Sequence, residues 1–212
     1  MQREENYKSI PGRQLQLFLP TDILVWLTFF SPIIVAAGVT SLSFVFQNAK
    51  GLLYLVILLV GVVARNYGYY LSGSNPTTNT GGICTAVEYS KYGNSTFSAF
   101  VFAFTIAYLS IPMFTNGAAN MWVFVGLLTY FAIDIFIKFF NQKCITSGGA
   151  LLLDIVCGLG YGAIIVAIMS AAGIAKFLFF NEVSSNKEMC YQPKEQTFKC
   201  QVYKDGVIVG NI

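Results

Sequence analysis

Long apolar runs separated by short polar segments make up most of the chain. A helix that crosses a bilayer needs about 20 largely apolar residues, and we predict such helices over 22–46, 51–71, 97–114, 118–140 and 150–180. Pro32 should kink the first of them because proline removes a backbone donor. If the segment "FTNGAAN" between the third and fourth runs is a re-entrant break, the five spans become four.

The polar segments divide the chain into three regions. Residues 1–21 form a juxtamembrane segment without the pattern of a cleavable signal, and 22–180 form the membrane bundle. Within the bundle, 72–96 is rich in Gly, Asn, Ser and Thr, which predicts a long loop. In 181–212, Asp205-Gly206 stands between β-branched runs, a pattern typical of a hairpin turn. The predicted fold is an all-α transmembrane helical bundle with a small C-terminal β-hairpin or meander.

Composition supports an integral membrane protein that spans the bilayer several times. Hydrophobic residues make up 55% of the chain and charged residues only 11%, whereas a soluble domain is about a quarter charged. The net charge of +3 is spread thinly, so we expect the lipid bilayer and no nucleic acid as a partner. Histidine is absent, which removes the commonest general base and metal ligand. We therefore expect no enzyme, cofactor or metal site.

Cys190 and Cys200 lie symmetrically about Glu195 in the tail. We predict a cross-strand disulfide between them, the alternative being two free thiols. Counting Lys and Arg in short segments favours the N-terminal side as cytoplasmic, which places the tail where a disulfide persists. Cys84 and Cys144 fall on the N-terminal side, and we expect both to be reduced.

Four charged residues lie inside the apolar runs at similar depth. At about 1.5 Å per residue, Arg65, Asp134, Lys138 and Asp154 sit about 3–9 Å below the same membrane face. Asp134 and Lys138 are spaced i,i+4 on one helix, and Arg65 can reach Asp154 across a helix contact. We predict a structural charge clamp. The alternative is an ion or proton route, although transport sites usually lie near the midplane.

Gly158 and Gly162 form a GxxxG pattern in the last span. Small residues at this spacing let membrane helices approach closely. We predict that they pack against another helix of the same bundle, with a dimer seam as the alternative.

In four features the chain resembles one family of proteins. These features are five close-set spans, the polar "SNPTTNTGG" loop, the lack of histidine and the "CYQPKEQTFKCQVYKDGVIVG" tail. This family comprises membrane-embedded minor capsid proteins of large icosahedral double-stranded DNA viruses, which tie an internal lipid membrane to the capsid. The resemblance implies a virion internal membrane and capsid components as partners.

The residues themselves predict a non-enzymatic structural protein that anchors partner proteins through the tail and loop 72–96. The alternative function is a small ion or solute channel or transporter subunit that uses the layer of Arg65, Asp134 and Asp154.

Overall fold

The computed structural model describes residues 20–45, 47–73, 84, 87–117, 120–145, 147–180, 201–204 and 207–211. Its helices are α1 (Pro20–Phe29), α2 (Ser31–Val45), α3 (Lys50–Leu71), α4 (Phe97–Thr115), α5 (Met121–Phe136) and α6 (Gly148–Ala171). Short 3₁₀ turns cover Asn94–Thr96 and Ala175–Phe177, and a π-helical turn, Ile137–Asn141, extends α5.

Four of these helices, counted with their short extensions, are long and apolar enough to cross a membrane: Lys50–Leu71, Asn94–Thr115, Met121–Asn141 and Gly148–Ala171. This is consistent with a multi-pass membrane protein. A fifth span exists only if α1 and α2 count as one, and they are bent by 72° at their junction. The predicted break in the first apolar run near Pro32 is confirmed, and the bend divides that run into two helices. Pro32, at the second position of α2, cannot donate to the carbonyl of the preceding turn, and the chain turns there.

Helix α4 lies at the centre of the bundle and packs against α2, α5 and α6. Every residue from 97 to 110 is buried, and the side chains of Phe102, Phe104 and Tyr108 are 0% exposed. The helix contains no charged residue. The apolar window of α4 is 83% buried inside the bundle, against 17–28% for the other three candidate spans, so the other helices carry most of the bundle's outer surface.

Helix α6 ends earlier than the sequence predicts. We expected the last span to run over 150–180, but the helix stops at Ala171. Gly173 adopts a left-handed φ of 70°, and the amide of Ile174 donates to the carbonyl of Met169 at 3.0 Å. This is the Schellman arrangement that terminates helices at glycine. The signal was present in the sequence as "AAGIAK".

Residues 182–212 form a unit separate from 1–181. Within it, strands β1 (Gln201–Lys204) and β2 (Val207–Asn211) pair antiparallel, with Lys204 opposite Val207 and an irregularity between Val202 and Tyr203. The predicted turn at 205–206, the further strand that a meander needs, and the predicted Cys190–Cys200 bridge lie outside the described residues.

Candidate functional site

Arg65 of α3 and Asp154 of α6 form a buried, two-pronged ion pair. Nη2 lies 2.7 Å from Oδ2 and Nε lies 2.8 Å from Oδ1. The remaining donors of Arg65 reach the carbonyls of Gly93 at 2.9 Å and Tyr92 at 3.2 Å, and the side-chain oxygen of Asn66 at 3.5 Å. A guanidinium has five N–H groups, and each has an acceptor here. The pair therefore fastens α3 to α6 and to the loop before α4.

Aromatic rings and a glycine complete the surroundings of Arg65. Its guanidinium carbon lies 4.8 Å from the ring centre of Tyr69 and 5.4 Å from that of Phe97. Gly93 has a φ of 56°, and a Cβ there would come within 2.8 Å of Arg65 Nη2. Only glycine allows both this backbone conformation and this close approach.

Asp134 and Lys138 form a second buried cluster at the end of α5. Lys138 Nζ lies 2.9 Å from Asp134 Oδ1 and donates to Ser98 Oγ at 2.7 Å. The hydroxyls of Ser31 and Ser98 each donate to the Asp134 carboxylate at 2.7 Å. Asp134 is 1% exposed and Lys138 is 5% exposed. The cluster thus joins α5 to the start of α2 and to the first turn of α4, and its charges balance.

The π-helical turn leads into a disulfide. The carbonyl of Lys138 accepts hydrogen bonds from the amides of Cys144 at 2.8 Å and Ile145 at 3.4 Å. Cys144 is bonded to Cys84, with their Cα atoms 5.5 Å apart. The expectation that these two thiols are reduced is therefore wrong. Disulfides persist in oxidising surroundings, so this pair does not fit the cytoplasmic side that the count of basic residues favours. That count rests on a few lysines and arginines and carries no redox information.

The end of loop 72–96 packs onto the helices. Tyr89 donates to the carbonyl of Phe29 at 2.9 Å and stacks on Phe97 with ring centres 5.1 Å apart. The side chain of Asn94 accepts from the Tyr89 amide at 2.8 Å and donates to the Val87 carbonyl at 2.9 Å. This part of the loop links the break between α1 and α2 to the start of α4.

Gly158 and Gly162 lie against α4. A Cβ at Gly158 would approach the carbonyl oxygen of Phe100 to 2.6 Å, and one at Gly162 would approach that of Phe104 to 2.9 Å. The structure thus places both glycines at a contact inside the bundle, which leaves neither of them available for a seam between two copies.

Sequence reasoning grouped the four charges but missed their hydroxyl and carbonyl partners. Ser31 and Ser98 complete the Asp134 cluster, and the Tyr92 and Gly93 carbonyls complete the shell of Arg65. Serines within apolar runs were a signal, because membrane helices use hydroxyls to satisfy polar groups. In the part of the chain that the structure describes, no group of three or more Cys, Asp or Glu side chains could hold a metal ion.

No protein-family model, curated protein or solved structure matches the chain.

Proposed function

We propose that this protein is a non-enzymatic structural component of a membrane that anchors or organises partner proteins there. One observation carries the proposal: each buried charge that the sequence singled out has its partner inside the bundle. Arg65 and Asp154 neutralise each other, as do Asp134 and Lys138, with side-chain exposures of 0–6%. Groups arranged in this way hold helices together.

The packing of α4 supports a holding role over a conducting one. A channel or transporter subunit needs a hydrated path near polar groups. Here α4 packs against α2, α5 and α6, and its side chains Phe102, Phe104 and Tyr108 are fully buried. The charged residues lie near one end of the spans, where the loop before α4 contacts Arg65.

Partner contacts then belong to segments other than the membrane helices, which are the tail over 181–212 and loop 72–96. Paired strands such as β1 and β2 can extend the sheet of another protein, because an edge strand offers free backbone donors and acceptors. We propose capsid components as the partner and the internal membrane of a virion as the location, in line with the resemblance noted above.

Crosslinking in the native membrane or particle tests this function. An amine-reactive crosslinker should join Lys194, Lys199 or Lys204 to proteins of a surrounding shell. A variant with all three lysines changed to arginine keeps the charge and should lose those crosslinked products. Lys176 is unchanged in this variant, so its reaction with the crosslinker serves as an internal control.

Flux measurements provide the contrary outcome. Liposomes containing the purified protein should be no more permeable to protons and small ions than empty liposomes. Flux that disappears in a folded Asp154→Asn variant would overturn the anchoring role in favour of conduction.

A further inference from the structure

A groove of about 430 Å³ runs between α3 and α6 on the outside of the bundle. Phe100 of α4 forms its floor, and Leu153 and Cys157 line its α6 wall. On the α3 side the groove is lined by the small residues Ala64 and Gly68, which leave it unobstructed. A Cβ at Gly68 would have no atom within 4 Å. The groove is thus open to whatever surrounds the helices at this depth.

The groove is closed at its deep end. The Tyr161 ring lies 2.5 Å from where a Cβ on Gly61 would be, and its hydroxyl donates to the Ile57 carbonyl at 3.0 Å. The other end lies at Ser72, just beyond the end of α3. From Gly61 to Leu71 the helix rises about 15 Å, which is half of a hydrocarbon core about 30 Å thick. The groove therefore spans one leaflet.

We propose that this groove holds one acyl chain of a glycerophospholipid from that leaflet. A transmembrane helix of a second copy would have to continue past Tyr161, whereas an acyl chain ends near the midplane. The two charged residues in the wall, Arg65 and Asp154, already form an ion pair with each other. The occupant therefore does not need to supply a charge or a hydrogen-bonding group. An apolar chain there would keep water away from the ion pair.

Substitution of Gly68 by leucine tests the proposal by filling the groove. Gly126→Leu is the matched control, because Gly126 is an exposed helical glycine on α5 that also has nothing within 4 Å of its Cβ. After purification in mild detergent, native mass spectrometry should find one retained phospholipid on the wild type and on Gly126→Leu. The retained fraction should fall about tenfold in Gly68→Leu, which corresponds to about 1.4 kcal/mol of lost binding.

Photolabelling of the wild type gives a second readout that needs no variant to fold. A phospholipid with a diazirine in the middle of its acyl chain should label the α6 peptide that contains Leu153 and Cys157. Equal retention in Gly68→Leu would overturn the proposal, as would labelling spread evenly over α5. Dimers joined through Cys157 under mild oxidation would assign the groove to a second copy instead.

Discussion

Removing the charge of Asp154 is the sharpest perturbation of the bundle. In Asp154→Asn the side-chain shape remains, but the guanidinium of Arg65 loses its counter-charge while staying buried. Its bonds to the Gly93 and Tyr92 carbonyls persist and hold it in place. The guanidinium therefore stays away from water. We expect the free energy of unfolding to fall by the full cost of an uncompensated buried charge.

Breaking one side of a buried ion pair costs about 3–5 kcal/mol. Arg65→Met should cost about the same, because it strands a carboxylate that is 0% exposed. The double variant Arg65→Met with Asp154→Leu removes both charges. The carbonyls of Tyr92 and Gly93 keep other donors, the hydroxyls of Ser90 at 2.8 Å and Thr96 at 3.2 Å. The cost of the double variant should fall below the sum of the single variants by about 2 kcal/mol, within the range of couplings between contacting residues.

Thermal unfolding of the protein in lipid nanodiscs measures these differences. At about 2–4 °C per kcal/mol for a chain of this size, Asp154→Asn should lower the midpoint by roughly 6–20 °C. Glu88→Gln, which neutralises an exposed carboxylate of the loop, should change stability by no more than about 0.5 kcal/mol. If Asp154→Asn behaved like Glu88→Gln, or if the single costs simply added, the clamp would be refuted.

Three further perturbations test other contacts by the same unfolding assay. Gly158→Ala forces a Cβ to within 2.6 Å of a backbone oxygen of α4 and should cost about 1–3 kcal/mol, whereas Gly160→Ala, with nothing within 4 Å, should be neutral or stabilising. Reducing the Cys84–Cys144 bond, which closes a separation of 60 residues, should cost up to about 4 kcal/mol; no change would mean that the bond constrains little. Tyr89→Phe should cost about 1 kcal/mol for its lost hydrogen bond. Burial raises the pKa of Tyr89, so its neutral form stabilises the fold below about pH 10 and that contribution is lost above it; the variant should lose less stability than the wild type on alkaline titration.

The depth and pairing of the charges could be inferred from spacing because helix geometry is regular. Lys138 follows Asp134 by one turn, and counting from helix ends brings Arg65 and Asp154 to one level. The roles of Ser31 and Ser98 could not be inferred in this way. They depend on the 72° bend between α1 and α2 and on which face of α4 meets α5, and neither follows from local pattern.

The centre of the bundle was also beyond sequence reasoning. The run over 97–114 predicts a span, but a helix that is apolar on all faces gives no indication of its neighbours. The disulfide was missed for a related reason. Cys84 and Cys144 are far apart in sequence, and their pairing depends on how loop 72–96 folds back onto the end of α5.

The bond between Cys84 and Cys144 closes a covalent ring that contains the whole of α4 and α5. A protease that cuts once between Thr115 and Met121, at the opposite end of α4 and α5 from that bond, would open the ring without separating its halves. The nicked chain should migrate as one species on a non-reducing gel and as two after reduction. After a single cut in this segment, the disulfide bond thus keeps α4 covalently linked to α5.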